Sequence, residues 1–306
     1  MTEILIVKLG AFGDVIQAEG ALRDIRAHHP EARVTVLTRA PFRRILERCP
    51  WVDRVWVDEN APRWRLDRMW ALRRRLRSGG FSRVYDLQNS ARTAFYFRRL
   101  PSGTEWSGTA AGCSHPHRAP APKSLPSLER LAGQLSDAGV PVVHTPAPDL
   151  GWMAEDVSAV LARAGVAPPY AVLLPGSSAR HPHKRWPAYG ELARRLAARG
   201  HRVVTVPGPD EIGPCRALPA TMLLDQGRVL DFFQLAGVLR GASFVVGNDS
   251  GPTHLAAHLG GPGVALVGRS HLPARMTGIE RPGFRALEME RLEELPLDTV
   301  LAAIPG

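Results

Sequence analysis

Short apolar runs alternate with amphipathic segments along most of the chain, which is the pattern of an α/β protein. Runs such as Ile4–Leu9 and Val84–Leu87 are rich in branched apolar residues and short enough to be buried parallel strands. Segments with apolar residues at helical spacing separate these runs. The alternation restarts at Tyr170–Leu174. We therefore predict two similar α/β domains in succession, over residues 1–150 and 151–306.

The alternation weakens in two places. Residues 101–127 are rich in Pro, Ser, Gly and Ala, and they predict a mobile loop beside a site. The loop contains Cys113, His115 and His117, but isolated Cys-x-His-x-His spacing in a proline-rich segment gives little support to a metal site. The tail, Leu292–Ile304, is expected to end in a helix that could cross back over the first domain.

The densest group of polar side chains follows the apolar run Phe244–Val246. Asp249, Ser250 and Gly251 lead into a small-residue helix that Pro252 opens. Such a strand, turn and helix N-terminus presents backbone N–H groups and a positive dipole end, which bind phosphate. An ordinary turn capped by Ser250 or Asp249 is the alternative. The crowding of Asp, Ser, Thr and His at one strand end favours a binding site.

A second polar turn follows Tyr170–Leu174. The hydroxyls of Ser177 and Ser178 can hydrogen-bond phosphate, and Lys184 offers a point charge suited to a diphosphate. After the next predicted strand, Glu211 lies in a turn where a carboxylate can accept two bonds from a ribose diol. These residues predict a nucleotide site in the second domain.

In the first domain, a Gly-x-x-Gly-Asp turn ends the first strand. The spacing differs from Gly-x-Gly-x-x-Gly, so it gives weak support to a nicotinamide or flavin site. Asp14 either faces the crevice at the strand end or only caps the following helix. Gln88, Asn89 and Arg92 lie at a second strand end, after Val84–Leu87, with helix capping again as the alternative.

Positive charge is concentrated in the first half of the chain. The formal net charge is +10, and residues 1–150 hold 23 Lys and Arg against 15 Asp and Glu. This balance predicts an acidic partner, such as an anionic glycolipid or a membrane surface, with a general solubility bias as the alternative. A nucleic acid is disfavoured because no nucleic-acid-binding motif accompanies the charge.

The densest charge lies in a Trp-bearing amphipathic helix predicted over residues 63–77. Three interpretations are open: a surface helix packed on the sheet, docking on an anionic membrane, and a wall that binds the acidic groups of a sugar. Arg63, Arg65 and Arg68 are the candidates for that wall.

The cysteines and the first residues of the chain indicate the cellular compartment of the protein. The three cysteines are widely spaced and odd in number, which is typical of reduced thiols in a cytoplasmic protein. The first residues lack the features of a secretory signal, and apolar runs fall short of the roughly 20 residues that cross a bilayer. We therefore expect a cytoplasmic protein, with peripheral contact at the inner membrane as an option.

Taken together, the motifs resemble those of the ADP-heptose:lipopolysaccharide heptosyltransferases, glycosyltransferase family 9. The matching segments, in order, are Gly13-Asp14, Asp86-Leu87-Gln88, Lys184 with Trp186-Pro187, Glu211, and Asp249 to His254. The resemblance implies the GT-B architecture, two Rossmann-like domains facing a central cleft, the first for the acceptor and the second for the nucleotide-sugar donor. It also implies inverting transfer of heptose from an ADP-sugar to a hydroxyl of an acidic lipopolysaccharide-core acceptor, without a metal or a cofactor.

The resemblance and the residue chemistry together suggest roles. Asp14 would be the catalytic base, and Lys184 would stabilise the charge on the departing diphosphate. The donor-binding candidates are Ser177, Ser178, Lys184, Glu211, Asp249, Ser250, Gly251 and His254. The acceptor-binding candidates are Arg63, Arg65, Arg68, Gln88, Asn89 and Arg92.

Two other functions are open. One is a GT-B enzyme with a different nucleotide-sugar donor, such as an epimerase. The other is a protein that binds an ADP-sugar and transfers nothing, against which the intact Asp14 argues.

Overall fold

The structure is a computed structural model that describes residues 2–99, 103–118, 125–177, 181–269 and 273–305. The chain divides into two compact units, Met1–Pro148 and Asp149–Gly306. Each unit is built on a parallel sheet of six strands within the described residues. The two-sheet α/β organisation expected from the alternating pattern is confirmed.

The first unit is centred on a parallel sheet. Its strands are β1 (Glu3–Val7), β2 (Arg33–Arg39), β3 (Arg54–Asp58), β4 (Arg83–Asp86), β5 (Glu105–Gly108) and β6 (His115–Pro116). Its helices are α1 (Phe12–Gln17), α2 (Glu19–His28), α3 (Arg43–Glu47), α4 (Leu66–Ser78), α5 (Ala91–Phe97) and α6 (Ser127–Asp137). A 3-10 turn at Ala40–Phe42 precedes α3.

The strand order of the first sheet, β3-β2-β1-β4-β5-β6, reverses direction beside β1. The chain moves outward from β1 to β3 and then returns to place β4 on the other side of β1. The turns after β1 and β4 therefore flank a topological switch point, where open α/β sheets bind ligands. The apolar run of β1 is explained by burial of both of its faces.

The second unit repeats this plan. Its strands are β7 (Ala171–Leu174), β8 (Val203–Thr205), β9 (Thr221–Met222), β10 (Phe244–Asn248), β11 (Gly263–Gly268) and β12 (Phe284–Met289). Its helices are α7 (Ser158–Arg163), α8 (Tyr189–Ala198), α9 (Ile212–Arg216), α10 (Phe232–Arg240), α11 (Gly251–His258), α12 (Ala274–Thr277) and α13 (Leu297–Ala303), and its 3-10 turns are Gly151–Met153, Pro182–Lys184 and Leu292–Glu294. In the order β12-β11-β10-β7-β8-β9, the switch point lies between β7 and β10.

The structure corrects the expectation of a mobile loop at residues 101–127, and it locates the tail helix. The segment expected to be a mobile loop contributes β5 and β6 to the first sheet, with the Trp106 side chain fully buried. Residues 101–102 and 119–124 of this segment lie outside the described residues. The tail helix α13, for which a path back over the first domain was one option, buries Val300 and Leu301 in the core of the second unit, beside α8.

The length and the hydropathy of each helix decide whether it could span a bilayer. Within the described part of the chain, none of them is both long enough and apolar enough to cross a membrane.

Candidate functional site

The buried side chain of Asn248, at the end of β10, joins the polar segments of the second unit. Its Nδ2 donates to the carbonyl of Pro175 at 2.7 Å, and its Oδ1 accepts from the backbone N–H of Trp186 at 3.1 Å. The turn after β7 and the Lys-x-Trp-Pro segment are therefore held against the strand that carries Asp249. The sequence alone does not single out Asn248, because an Asn before Asp249 looks like one more turn residue.

A cluster of three charged or titratable side chains lies beside this junction. Lys184 Nζ is 2.6 Å from Asp249 Oδ2, and His254 Nε2 is 3.2 Å from Asp249 Oδ1. All three side chains are mostly buried. Burial by itself raises the pKa of the Asp249 carboxyl, but the hydrogen bond from His254 and the charge of Lys184 outweigh burial and hold this pKa below its usual range.

The cluster sits at the N-terminus of α11. Ser250 is the N-cap, but among the described residues its side chain makes no capping bond to the helix backbone. Its hydroxyl instead lies 3.1 Å from Thr253 Oγ1. The first-turn N–H groups of an α-helix have no carbonyl partner within the helix, and they attract anions. The alternative in which the Ser250 side chain caps the helix is therefore not what the structure shows, and the turn is suited to an anionic ligand.

Glu211 reaches back toward the turn after β7. Its Oε2 accepts from the backbone N–H of Gly208 at 2.9 Å. A Cβ atom at Gly176 would lie only 1.9 Å from Glu211 Oε1. The carboxylate is therefore packed directly against the Gly176 backbone, and glycine at that position is what allows the approach.

Ser177 has a structural task in this turn. Its hydroxyl donates to the carbonyl of His181 at 3.1 Å, and Arg185 donates to both its hydroxyl and its carbonyl. The Ser177 side chain therefore helps to shape the loop that leads to Lys184. Ser178 lies outside the described residues.

In the first unit, Asp14 lies in the first turn of α1. Its Oδ2 accepts from the backbone N–H of Ala11 at 2.9 Å, so the carboxylate does help to close the start of the helix. The residue is nevertheless exposed at the carboxyl end of β1. A capping bond and an exposed carboxylate at the switch point thus occur together in one residue.

Lys8 is a second charged residue at this strand end, and it is buried. Its Nζ donates to the carbonyl of Leu87 at 3.1 Å. Burial lowers the pKa of Lys8, while the nearby carboxylates of Asp14 and Asp86 act in the opposite direction. Burial also raises the pKa of Asp86 to about 6. The sequence signal for this group is the lone lysine within the apolar run Ile4–Leu9.

The polar residues after β4 are bonded inside the unit. Gln88 Oε1 accepts from the backbone N–H of Leu9 at 2.9 Å, and Asn89 Nδ2 donates to Gln134 Oε1 at 2.7 Å. Gln88 therefore ties the turn after β4 to the turn after β1.

Arg92 belongs to a separate buried group on α5. It forms two bonds of 3.0 Å to the carboxylate of Asp58, which is buried and also accepts from the Tyr96 hydroxyl at 2.5 Å. Burial alone would raise the pKa of Asp58, but the bonds from Arg92 and Tyr96 lower it. This pairing gives Arg92 a clear structural role.

The arginines that precede and begin α4 are exposed and have local partners. Arg63 donates to the carbonyl of Ala91 at 2.6 Å, Arg65 pairs with Asp67, and Arg68 pairs with Glu59. Exposed pairs of this kind are weak, so these arginines can exchange partners for an anionic ligand.

The histidines noted in the sequence have individual contacts. His117 Nδ1 lies 2.8 Å from Asp137 Oδ2, and His115 Nδ1 lies 2.9 Å from Ser114 Oγ. The rings of His181 and His183 pack edge to face. Among the described residues, no group of three or more His, Cys, Asp or Glu side chains has a metal-binding arrangement.

Known proteins resemble the chain over nearly its whole length. Lipopolysaccharide heptosyltransferase 2 of Salmonella typhimurium is 26% identical over 303 residues, covering 88% of this chain and 83% of that protein. The crystal structure of a family 9 glycosyltransferase from Veillonella parvula has a TM-score of 0.82 at 18% identity, covering 99% of this chain and 95% of the other.

A further structure, E. coli heptosyltransferase WaaC with ADP-2-deoxy-2-fluoro heptose, has a TM-score of 0.75 at 21% identity and covers 98% of each chain. These neighbours and the two parallel sheets confirm the α/β GT-B fold class. Residues 69–281 match glycosyltransferase family 9 (heptosyltransferase) as a family. The chain is therefore an enzyme of glycosyltransferase family 9, the heptosyltransferases.

Proposed function

We propose that the protein transfers heptose from ADP-heptose to a hydroxyl of an anionic lipopolysaccharide-core acceptor, with inversion at the anomeric carbon. The observation that carries the proposal is the cluster of Lys184, Asp249 and His254 at the N-terminus of α11, where Ser250 makes no side-chain capping bond within the described residues. A cation and a helix N-terminus at one switch point suit a diphosphate. The choice of ADP-heptose as the donor is supported by the structural neighbour E. coli WaaC, which holds ADP-2-deoxy-2-fluoro heptose.

In the proposed donor site, Lys184 and the N–H groups at Ser250 and Gly251 bind the diphosphate. The Lys184 ammonium has three N–H donors, and its bond to Asp249 uses one of them. That bond also orients the ammonium, and two donors remain for the diphosphate. Asp249 would accept from sugar hydroxyls, and His254 would hold sugar hydroxyls or phosphate. The Glu211 carboxylate, held against the Gly176 backbone, would accept from the ribose diol.

In the proposed chemical step, the acceptor oxygen attacks the anomeric carbon as the bond to the β-phosphate oxygen breaks. ADP leaves with the electron pair of that bond, and the acceptor proton passes to the carboxylate of Asp14. Lys184 and the α11 N-terminus stabilise the negative charge that grows on ADP. No metal or cofactor is needed in this scheme, because the ammonium provides the charge stabilisation.

The acceptor side of the proposal is the basic first unit. Arg63, Arg65 and Arg68 would bind acidic groups of the acceptor. Gln88, which is bonded to the turn after β1, and the neighbouring Asn89 would contribute to acceptor binding. Arg92 would contribute to acceptor binding indirectly, because its pair with the buried Asp58 holds α5 against β3. The enzyme would work in the cytoplasm, at the inner membrane where a glycolipid acceptor is anchored.

The test is incubation with ADP-heptose, with and without a heptose-deficient core acceptor, while released ADP and the glycosylated product are measured. Product formed only with both substrates supports the proposal. ADP binding without transfer would indicate the non-catalytic alternative. Greater thermal stabilisation by UDP- or GDP-sugars than by ADP-sugars would indicate a different donor.

A further inference from the structure

An exposed apolar surface lies at the start of α4. Trp64, Leu66 and Trp70 are 74%, 76% and 62% exposed, and they lie within seven consecutive residues. Large apolar side chains grouped in this way on a surface mark an interaction site more often than scattered single ones do. We call Trp64, Leu66 and Trp70 the aromatic patch.

The packing of α4 explains why the patch faces outward. Leu76 is buried, and Leu72 packs partly against the core of the first unit. Leu66, Trp70 and Arg74 are spaced four residues apart, so they follow one another along a different face of the helix. The sequence pattern therefore gives α4 two apolar surfaces, one for the sheet and one that remains exposed.

Arginine surrounds the aromatic patch. The stretch from Glu59 to Ser78 contains seven arginines and two carboxylates, Glu59 and Asp67. Those carboxylates pair with Arg65 and Arg68 near the start of α4. Farther along the helix, Arg74 is exposed and Arg77 donates to the backbone carbonyl of Arg99, so positive charge dominates that end.

We propose that the aromatic patch, with Arg74 and Arg77, docks the protein on an anionic lipid bilayer. Tryptophan suits the boundary between acyl chains and headgroups, and arginine can keep its charged end among lipid phosphates while its stem lies along apolar surface. The surrounding charge complements an anionic leaflet, whereas the two nearby carboxylates would be repelled from it only weakly because both are already paired. This inference deepens the proposed function, because it brings the enzyme to the membrane that holds its acceptor.

Vesicle sedimentation tests the docking surface. We expect the wild-type protein to bind vesicles of phosphatidylcholine and phosphatidylglycerol, and to bind vesicles of phosphatidylcholine alone much more weakly. Replacing the aromatic patch with Trp64→Ser, Leu66→Ser and Trp70→Ser should lower the partition constant by about 10-fold or more. Arg74→Ser with Arg77→Ser should lower it by roughly 5-fold per arginine and flatten its dependence on salt.

Two control variants separate the patch from general effects. Arg194→Ser with Arg195→Ser removes two exposed arginines of α8, and Val143→Ser removes another exposed apolar side chain. Both should bind vesicles as the wild type does, and unchanged melting temperatures would show that all variants fold. Quenching of tryptophan fluorescence by brominated lipid should be reduced in the aromatic-patch variant.

Wild-type protein that ignores anionic vesicles would overturn the docking proposal, as would equal binding by the patch variants and the wild type. Binding only to vesicles that contain the glycolipid acceptor, insensitive to the patch, would assign the arginines to sugar recognition instead. Transfer to a delipidated acceptor in solution reports the proposed function separately. That reaction should survive loss of the aromatic patch, and its absence in the wild type would count against heptose transfer and not against docking.

Discussion

Both units place polar turns at a switch point of a parallel sheet, yet the two sets of turns are built differently. In the second unit, Lys184 and His254 contact Asp249 through side chains, so charged groups are arranged relative to one another. In the first unit, Gln88 accepts a bond from the backbone N–H of Leu9, and this bond holds the turn after β4 against the turn after β1. The second unit therefore presents an arranged cluster of charged side chains at its switch point, whereas the first presents the exposed carboxylate of Asp14.

The sharpest test of this division is Asp14→Asn. Asparagine keeps an oxygen that can accept from the Ala11 N–H, and it is itself a good capping residue, so α1 should remain folded. It cannot take up the acceptor proton. We expect turnover to fall roughly 10²–10⁴-fold while ADP affinity is unchanged. Near-normal turnover would reduce Asp14 to a cap, and lost ADP binding would move it into the donor site.

Lys184→Met should affect donor binding as well as turnover. Losing a charge-assisted bond to the diphosphate should weaken ADP binding by roughly 10²-fold in a calorimetric titration. Because the variant also leaves Asp249 without its cation, Lys184→Met with Asp249→Asn checks that the loss is not caused by unfolding. Arg163→Ala is the control, since it removes an exposed pair, Arg163–Asp225, in the same unit. Equal ADP affinity in the Lys184 variant and the control would contradict the donor assignment.

Gly176→Ala tests the position of the Glu211 carboxylate. The new Cβ would lie 1.9 Å from Glu211 Oε1, so the carboxylate must move, and ADP affinity should fall by about 10-fold. Gly213→Ala is a matched control in α9, because no atom lies within 4 Å of its added Cβ in the described structure. The control should bind ADP normally. Unchanged affinity in Gly176→Ala would show that Glu211 has no contact with the nucleotide.

A smaller effect should appear in the stability of the first unit. Burial raises the pKa of Asp86 to about 6, well above the pKa of Asp in an unfolded chain. At a pH between these two pKa values, Asp86 is protonated in the folded state and ionised in the unfolded state. Stability should therefore fall as pH rises from about 4 to 6, by roughly 3 kcal/mol at most. Urea unfolding of the wild type and Asp86→Asn measures this, since the variant should lack that slope. Parallel pH profiles would show that Asp86 does not titrate in this range.

The smallest expected effect is that of chelation. If Lys184 supplies the charge stabilisation, turnover should be unchanged by EDTA. Activity that EDTA abolishes and magnesium or manganese restores would contradict the role given to Lys184.

The hydrophobic pattern predicted most of the architecture because long strands and helices repeat apolar residues at fixed spacing. It missed β9 and β12 in the second unit. It also missed β5 and β6, which have four and two residues and lie in a segment rich in Pro, Ser and Gly. Such short strands carry little periodicity of their own. The pairing of β5 to β4 is a long-range property of the fold.

Candidate site residues could be chosen from the sequence by type and position, but the direction of their bonds could not be predicted. Ser177 and Lys184 belong to the same loop, yet the Ser177 hydroxyl bonds to a loop carbonyl and Lys184 bonds to Asp249. Arg92 pairs with Asp58, which is 34 positions away in the sequence, so no local pattern could reveal that pair. Lys8 was visible as the lone lysine of the apolar run Ile4–Leu9, directly after β1, but its proximity to Asp86 depends on how β1 and β4 align.

The N-terminus of α11 and Lys184 are proposed to bind the donor diphosphate, and every other role depends on that placement. The most direct measurement is a crystal structure of the protein soaked with ADP. Phosphate oxygens should lie about 3 Å from Lys184 Nζ and from the first-turn N–H groups of α11, with the ribose beside Glu211. A diphosphate bound elsewhere, with Lys184 still paired only to Asp249, would contradict the account.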